Sequence, residues 1–215
     1  MVNLVNLPVA VIAYLIGSIS FAVVVSTIMG LSDPRTYGSK NPGVTNVLRS
    51  GKKVAAVLTL FGDAFKGWIT VWIVKHYGAA YWLDAFSVAM VSLSVFLGHL
   101  YPVFFCFQGG KGVATAAGVL LAIEPVLGIS ISAIWLIIVF VFRYASLAAL
   151  ITVLLTPFFY LFICGYNSIA VAIISMGILL IWRHRSNINN LLARRESRIG
   201  DKKDKIIHGS DSSPC

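Results

Sequence analysis

Three short polar stretches of the chain carry residue types that suit the binding of an anion. The first runs from Gly38 to Arg49 and combines two cations, two asparagines, two hydroxyl side chains and two glycines. These residues supply hydrogen-bond donors and positive charge on a flexible backbone. An ordinary turn-rich connector is the alternative interpretation. We predict an anion site built from Gly38, Ser39, Lys40, Asn41, Gly43, Thr45, Asn46 and Arg49.

The second stretch is Gly109-Gly110-Lys111-Gly112, which precedes an apolar helical segment. Free N–H groups and the dipole at a helix start attract anions, and glycines let a phosphate approach the backbone. The stretch is not a nucleotide-binding P-loop, because Phe105 stands where the first glycine of that motif belongs and Gly112 stands where Ser or Thr belongs. We expect Gly109, Gly110 and Gly112 to approach the anion and Lys111 to add a charge.

The third stretch begins after the last apolar segment, where His184 and Asn187 lie one helical turn apart. A headgroup contact is the ordinary role of such a histidine. Asp63 and Lys66 are also one turn apart, but they lie within an apolar segment. Ionisable residues at membrane depth cost several kcal/mol unless they are paired or solvated. This pair is either functional or a structural ion pair.

Several common catalytic patterns are absent from the sequence. No histidine is followed five residues later by aspartate: Phe104 follows His99 at that spacing, and Asn189 follows His184. The chain contains neither a G-x-S-x-G nor an H-E-x-x-H motif. The cysteines, which are Cys106, Cys164 and Cys215, lack metal-ligand spacing. We therefore expect no metal and no cofactor.

The composition is that of a membrane protein. Of the 215 residues, 58% are apolar and only 12% are charged, whereas soluble domains carry about 25% charged residues. The net charge of +9 is explained by positive loops that set the topology, so no nucleic-acid partner is expected. We predict a single membrane domain over 1–200 and a polar, disordered cytoplasmic tail over 201–215.

The apolar segments predict an all-α bundle of seven spans, one of them short. They run approximately over 4–31, 54–74, 79–107, 112–123, 125–142, 145–164 and 168–182. With seven crossings, every Lys and Arg except Lys66 and Lys75 falls on one side. The positive-inside rule then places the N-terminus outside and the C-terminus in the cytoplasm, with all three polar stretches at the cytoplasmic face. This alignment requires the short segment 112–123 to cross.

The ordered motifs resemble those of the bacterial acyl-phosphate:glycerol-3-phosphate acyltransferase family. The resemblance covers nearly the whole chain and rests on Gly38–Arg49, on Gly62–Gly67, on Gly98–Pro102 with Gly109–Thr115, and on His184–Ile188 with Glu196 and Gly200. The chain departs from the usual pattern at Val44, where alanine is usual, at Arg194, where glycine is usual, and at Asn190, where a cation is common.

The resemblance implies an enzyme of the bacterial cytoplasmic (inner) membrane whose active site faces the cytoplasm. It implies acyl transfer from acyl phosphate to the sn-1 hydroxyl of glycerol 3-phosphate, which gives lysophosphatidic acid and phosphate in the first step of phospholipid synthesis. The family's active-site residues match Ser39, Arg49, Lys111, His184 and Asn187, and its acidic residue matches Glu196. The expected partners are the two substrates, the lipid bilayer and the enzyme that supplies acyl phosphate.

Two other functions fit parts of the sequence. A transporter of an anionic solute would explain the spans, the cationic loops and the Asp63/Lys66 pair, but transporters usually show internal repeats and midplane binding groups, and no repeat is evident. An acyltransferase with a thioester donor is the other alternative. The missing histidine/aspartate pair of the soluble-donor glycerolipid acyltransferases counts against it.

Overall fold

The structure, a computed structural model, describes residues 4–200. This part of the chain is all-helical and contains no β-strand. The helices are α1 (Asn6–Gly17), α2 (Phe21–Ile28), α3 (Val44–Arg49), α4 (Lys53–Tyr77), α5 (Ala85–Leu100), α6 (Val113–Ile123), α7 (Pro125–Phe142), α8 (Ala145–Cys164), α9 (Ser168–Arg183) and α10 (Arg185–Leu192). The predicted tail 201–215 lies outside the described residues.

The long helices have the length and apolarity of membrane spans. Four of them, α4, α5, α7 and α8, are long and apolar enough to cross a bilayer. Two bent pairs raise the number to six if each pair is one span: α1 with α2, bent by 42°, and α9 with α10, bent by 57°. The prediction of an all-α protein with several apolar spans is confirmed at this level, and α6 is a shorter apolar helix.

The second half of the chain follows the predicted boundaries because its helix ends have strong local signals. Pro125 occupies the first turn of α7, where its missing N–H leaves no helical hydrogen bond unmade. Arg143 ends α7 in the left-handed region at φ +64°, and Gly165 ends α8 at φ +71°. The short helix predicted at 112–123 is observed as α6.

The first half differs from the prediction in two spans. The first span, predicted over 4–31, is interrupted at Ser18-Ile19-Ser20, between α1 and α2. The third, predicted over 79–107, contains only α5 as α-helix, and Gly78–Tyr81 and Val103–Phe105 on either side of it are short 3₁₀ turns. Apolar composition extends beyond the helix in both cases, so it does not mark the helix ends.

Two helix pairs pack closely enough to exclude a side chain. A Cβ on Gly98 of α5 would lie 2.2 Å from the carbonyl oxygen of Tyr14 in α1. A Cβ on Gly118 of α6 would lie 1.9 Å from the carbonyl oxygen of Ala64 in α4. Small residues at such contacts let helix backbones approach each other in a membrane. Both pairs therefore hold the helices that carry the polar stretches at fixed separations.

The C-terminus of the short helix α6 is capped by a lysine from α4. Lys75 donates from Nζ to the carbonyl oxygens of Ile123 at 2.5 Å and Ala122 at 3.3 Å. The last carbonyls of a helix have no partner within it, and a lysine near the C-terminus can satisfy them. This contact lies at the C-terminal end of α6, directly before Pro125 begins α7.

Candidate functional site

One cavity of about 410 Å³ reaches all three polar stretches and continues between apolar helices. Its polar end includes the five residues that the sequence analysis placed at an active site, which are Ser39, Arg49, Lys111, His184 and Asn187. Its other end is walled by α6, α7, α8 and α9. The cavity is therefore charged and hydrogen-bonding at one end and apolar at the other.

The first stretch is shaped by the side chain of Asn46, which is 2% exposed. Its amide nitrogen donates to the carbonyl oxygens of Pro34 at 2.7 Å and Tyr37 at 3.1 Å. Its amide oxygen accepts a hydrogen bond of 3.0 Å from the backbone N–H of Ser39. Asn46 lines the cavity, but its amide group closes the loop and so orients Ser39.

Other predicted residues of this stretch divide into two groups. Asn41, Gly43 and Thr45 lie on the cavity wall. Gly38 and Lys40 are not among the residues that line it. Gly38 has φ +56°, and a Cβ there would lie 2.3 Å from the Asn46 side-chain oxygen, so glycine at this position serves the loop conformation. The Lys40 side chain is exposed.

The second stretch leads into the N-terminus of α6, as predicted. Gly112 is the residue before the first helical turn and lines the cavity at φ +86°. Gly109 and Gly110 are buried behind the wall rather than on it. Lys111 reaches the cavity and donates from Nζ to the side-chain oxygen of Asn187. The loop and the segment after α9 are thus joined directly.

The lysine belongs to a chain of hydrogen bonds that crosses the polar end. Asn187 donates from Nδ2 to Glu196 Oε1 at 2.6 Å, and the Ser146 hydroxyl donates to the same oxygen at 2.7 Å. Glu196 therefore holds Asn187 so that its amide oxygen faces Lys111. Ser146, at the start of α8, was missed by sequence reasoning because a serine inside an apolar segment gives no signal of its partners 50 residues away.

Burial and charge change the acidity of Lys111. Burial lowers the pKa of Lys111, the negative charge of Glu196 opposes this shift, and the nearby cations Arg183 and Arg49 add to it, so that the pKa lies at about 8. The ammonium group therefore titrates just above neutral pH. A bound dianion would favour the charged form of this lysine by the same electrostatic rule.

His184, which follows the last residue of α9, is 3% exposed. Its Nδ1 lies 2.8 Å from the carbonyl oxygen of Leu180. A carbonyl can only accept, so Nδ1 carries the proton and Nε2 is the acceptor of the neutral ring. Burial lowers the pKa of His184 to about 4, with Lys111 acting in the same direction and the Leu180 hydrogen bond opposing it. His184 is therefore neutral near pH 7 and accepts hydrogen bonds at Nε2.

The Asp63/Lys66 pair is buried in α4, with 1% and 2% of the two residues exposed. Lys66 Nζ lies 2.8 Å from Asp63 Oδ1, and His99 Nδ1 lies 3.4 Å from the same oxygen. Lys66 also donates to the carbonyl oxygen of Ile19 at 2.6 Å, in the break between α1 and α2. Asp63 and His99 reach the cavity wall, whereas Lys66 does not. The lysine therefore acts as a structural cation behind the site.

The apolar end of the cavity follows α8 and α9 along one face of each helix. On α8 it is lined at Ala145, Ala149, Thr152 and Thr156, which recur at helical spacing. The eleven steps from Ala145 to Thr156 correspond to about 16 Å of helix at 1.5 Å per residue. The cavity therefore suits an amphiphilic ligand, with an anionic head among the cations and an apolar chain between helices.

The chain is similar to a known protein family over most of its length. The family model described as glycerol-3-phosphate acyltransferase matches residues 7–194. A glycerol-3-phosphate acyltransferase of Paraburkholderia phymatum is 65% identical over 198 residues, which cover 92% of this chain and 94% of that protein. One from Burkholderia cenocepacia is 63% identical over 203 residues, with 93% of each protein covered.

Two solved structures share the fold. Both are crystal structures of PlsY (YgiH), described as an integral membrane glycerol 3-phosphate acyltransferase. The glycerol 3-phosphate form has a TM-score of 0.84 and 41% identity, and covers 91% of this chain and 96% of that one. The lysophosphatidic acid form has a TM-score of 0.81 and 42% identity, and covers 91% and 95%. The residues matched by the family model, 7–194, include all three polar stretches.

Proposed function

The chain belongs to the glycerol-3-phosphate acyltransferase family, and we propose that it transfers an acyl group from acyl phosphate to the sn-1 hydroxyl of glycerol 3-phosphate. The observation that carries this proposal is the single cavity whose polar end holds Arg49 and Lys111 and whose other end is apolar. Such a cavity accommodates a phosphate group and an acyl chain at once. The products are lysophosphatidic acid and inorganic phosphate.

Acyl phosphate is a mixed anhydride, so the reaction needs no covalent enzyme intermediate. The hydroxyl oxygen of glycerol 3-phosphate attacks the acyl carbon, and the bond between that carbon and the phosphate oxygen breaks. The hydroxyl proton leaves with a substrate phosphate, which acts as the base. The remaining task of the protein is to bring two mutually repelling anions together, and preorganised cations and N–H donors lower the free energy of that arrangement.

Each polar side chain has a role that follows from its surroundings. Arg49, Lys111 and the N-terminus of α6 hold the phosphates. Ser39, oriented through Asn46, and Asn187, held by Glu196, orient the glycerol hydroxyl and the acyl carbonyl. His184 accepts a hydrogen bond at Nε2 from the glycerol moiety. Because the pKa of His184 is lowered to about 4, its ring is a weak base, which favours the phosphate as the proton acceptor.

The membrane arrangement that we propose has seven crossings, an outside N-terminus and a cytoplasmic active site in the bacterial inner membrane. Two contacts support it. Lys111 reaches Asn187 after α9, and the turn at Arg143 is joined to Ile199 by hydrogen bonds of 2.6 Å and 2.7 Å. The loop before α6 and the turn after α7 then lie at the same side of the membrane. The chain therefore crosses away from that side along α6 and crosses back along α7. The acyl chain lies between spans and enters from the bilayer.

A donor comparison tests this function. Purified protein is incubated with glycerol 3-phosphate and either a long-chain acyl phosphate or the corresponding acyl-CoA, and lysophosphatidic acid is quantified by mass spectrometry. We expect product only with acyl phosphate. Product with acyl-CoA alone would assign a thioester donor, and absence of product with both donors would favour the transport of an anionic solute.

Activity is also expected to fall at alkaline pH. The pKa of Lys111 is lowered to about 8, so its positive charge is present below pH 8 and is lost as the pH rises above it. Because kcat/KM reports the ionisations of the free enzyme, kcat/KM for glycerol 3-phosphate should decline above about pH 8. Initial rates measured between pH 7 and pH 10 at low substrate concentration check this. A flat profile up to pH 10 would contradict it.

A further inference from the structure

Arg183, the last residue of α9, contacts the glycine loop but does not line the cavity. Its guanidinium donates to the carbonyl oxygen of Gly109 at 2.6 Å and to that of Gly110 at 3.2 Å. It also lies over the ring of Tyr101, 5.5 Å from the centroid. A guanidinium presents several donors in a rigid fork, and here two of them bind successive carbonyls of one loop.

The same loop is held from its other side by His99. The backbone N–H of Gly110 donates to the carbonyl oxygen of His99 at 3.1 Å. A Cβ on Gly110 would lie 2.2 Å from His99 Nε2, so the imidazole ring packs directly on the glycine. The Asp63 carboxylate lies beside this ring, with Oδ1 3.4 Å from His99 Nδ1. The two residues before Lys111 are thus clamped between α5 and α9.

This clamp determines which backbone groups the loop presents to the cavity. Glycine has wide backbone freedom, and three of the four loop residues are glycines. The partially negative carbonyl oxygens of Gly109 and Gly110 are bound by Arg183, a cation that does not line the cavity. Lys111, the next residue, is carried on a backbone of fixed direction toward Asn187.

We propose that Arg183 is a positioning residue for acyl transfer, which orients Lys111 by binding the carbonyls of Gly109 and Gly110. This inference rests on the proposed function of the cavity as the site of phosphate binding. Arg183 touches neither substrate in this view. It acts through the glycine loop. Two N–H donors held in the fixed geometry of the guanidinium are needed for this, and a positive charge alone is not sufficient.

The charge of Arg183 nevertheless gives the test a specific signature. The charged and titratable groups around Lys111 are Arg49, Arg183, His184 and Glu196, and the positive charge of Arg183 is one cause of the lowered pKa of Lys111. Removal of Arg183 should therefore raise that pKa and move the alkaline decline of kcat/KM to higher pH. A decline that did not move would mean that the guanidinium is too far from Lys111 to act on it, and a comparison with Arg183→Lys separates the loss of charge from the loss of the two carbonyl contacts.

The experiment compares Arg183→Met and Arg183→Lys with the wild-type protein, purified in detergent and assayed with acyl phosphate and glycerol 3-phosphate. We expect Arg183→Met to lower kcat/KM about 10- to 100-fold, the range that small misplacements of a catalytic group produce, and to shift the alkaline decline upward. Arg183→Lys keeps the charge but not the fork, so it should recover part of the activity with the decline near pH 8.

The neighbouring Arg185 supplies a matched control. It is exposed, lies over Trp182 with 5.1 Å to the ring centroid, and does not line the cavity. Arg185→Met should keep wild-type kcat/KM and the same pH profile, since it removes one arginine from the same helix junction without touching the loop.

The outcomes separate this inference from the proposed function. Wild-type kcat/KM in folded Arg183→Met overturns the inference, and so does a lowered kcat/KM whose alkaline decline has not moved. If Arg183→Met does not fold, Arg183→Lys decides: a decrease of at least threefold with the decline near pH 8 supports the positioning role, and unchanged activity overturns it. An inactive wild-type protein would instead contradict the function itself.

Discussion

Replacement of Lys111 with methionine is expected to lower kcat/KM for glycerol 3-phosphate by about 100- to 1,000-fold, the effect typical of removing one preorganised group that stabilises developing charge. Methionine keeps much of the length of the side chain and removes only its charge and donors. Lys111 reaches the polar end of the cavity from the N-terminus of α6, where the phosphates of both substrates would meet. The loss should therefore appear in kcat as well as in KM.

Steady-state kinetics on purified variants measure this effect, with circular dichroism to verify folding. Lys52→Met is the matched control, because Lys52 is exposed beside the same polar loop and does not line the cavity, so its kinetics should equal those of the wild type. Arg49→Met removes the second cation of the wall and should have a comparable effect to Lys111→Met. Near-normal activity in both cavity variants would contradict a phosphate site at this place.

Replacement of Asp63 with asparagine is expected to destabilise the fold by about 3–5 kcal/mol, the typical effect of removing one partner from a buried ion pair. The loss arises because Lys66, 2% exposed, would be left without the carboxylate that lies 2.8 Å from its Nζ, and a buried amine without its partner is unfavourable whether it stays charged or loses its proton. Midpoints of thermal unfolding in detergent, or free energies of unfolding from denaturant titrations, measure it.

The double replacement Asp63→Leu/Lys66→Met is the informative companion. It removes both charges at once, so no unpaired ion remains in the apolar interior. Its free energy of unfolding should therefore lie closer to the wild-type value than that of Asp63→Asn. If the single variant were as stable as the wild type, the pair would not act as a structural ion pair.

The parts of the fold that sequence reasoning obtained correctly are those with local signals. Pro125 and Gly165 mark helix ends through their own backbone restrictions, so the helices from α6 to α9 appear close to the predicted positions. The interruption at Ser18-Ile19-Ser20 contains neither proline nor glycine. The Ile19 carbonyl at this interruption accepts a hydrogen bond from Lys66, 47 positions later, and no local pattern encodes such a contact.

The candidate site, like the fold, was predicted correctly only where the sequence carries a local signal. The spacing of Lys111, His184 and Asn187 within their motifs pointed to residues that do share one cavity. The internal use of the Asn46 amide was not foreseen, because an asparagine that could bind a ligand and one that closes a loop look alike in a sequence. Arg183 was overlooked for a related reason, since its partners are backbone carbonyls that every residue possesses.

The interruption between α1 and α2 has a consequence for the biogenesis of the protein. The Ile19 carbonyl receives its hydrogen bond from Lys66, which belongs to α4. A lone first span in lipid would therefore expose an unsatisfied carbonyl, at a free energy of several kcal/mol, until α4 arrived. Lys66 in turn would enter lipid without this acceptor if α4 were inserted alone. The first span and α4 are therefore expected to leave the translocon together as a helical hairpin. Neither helix should enter the bilayer before this hairpin is complete.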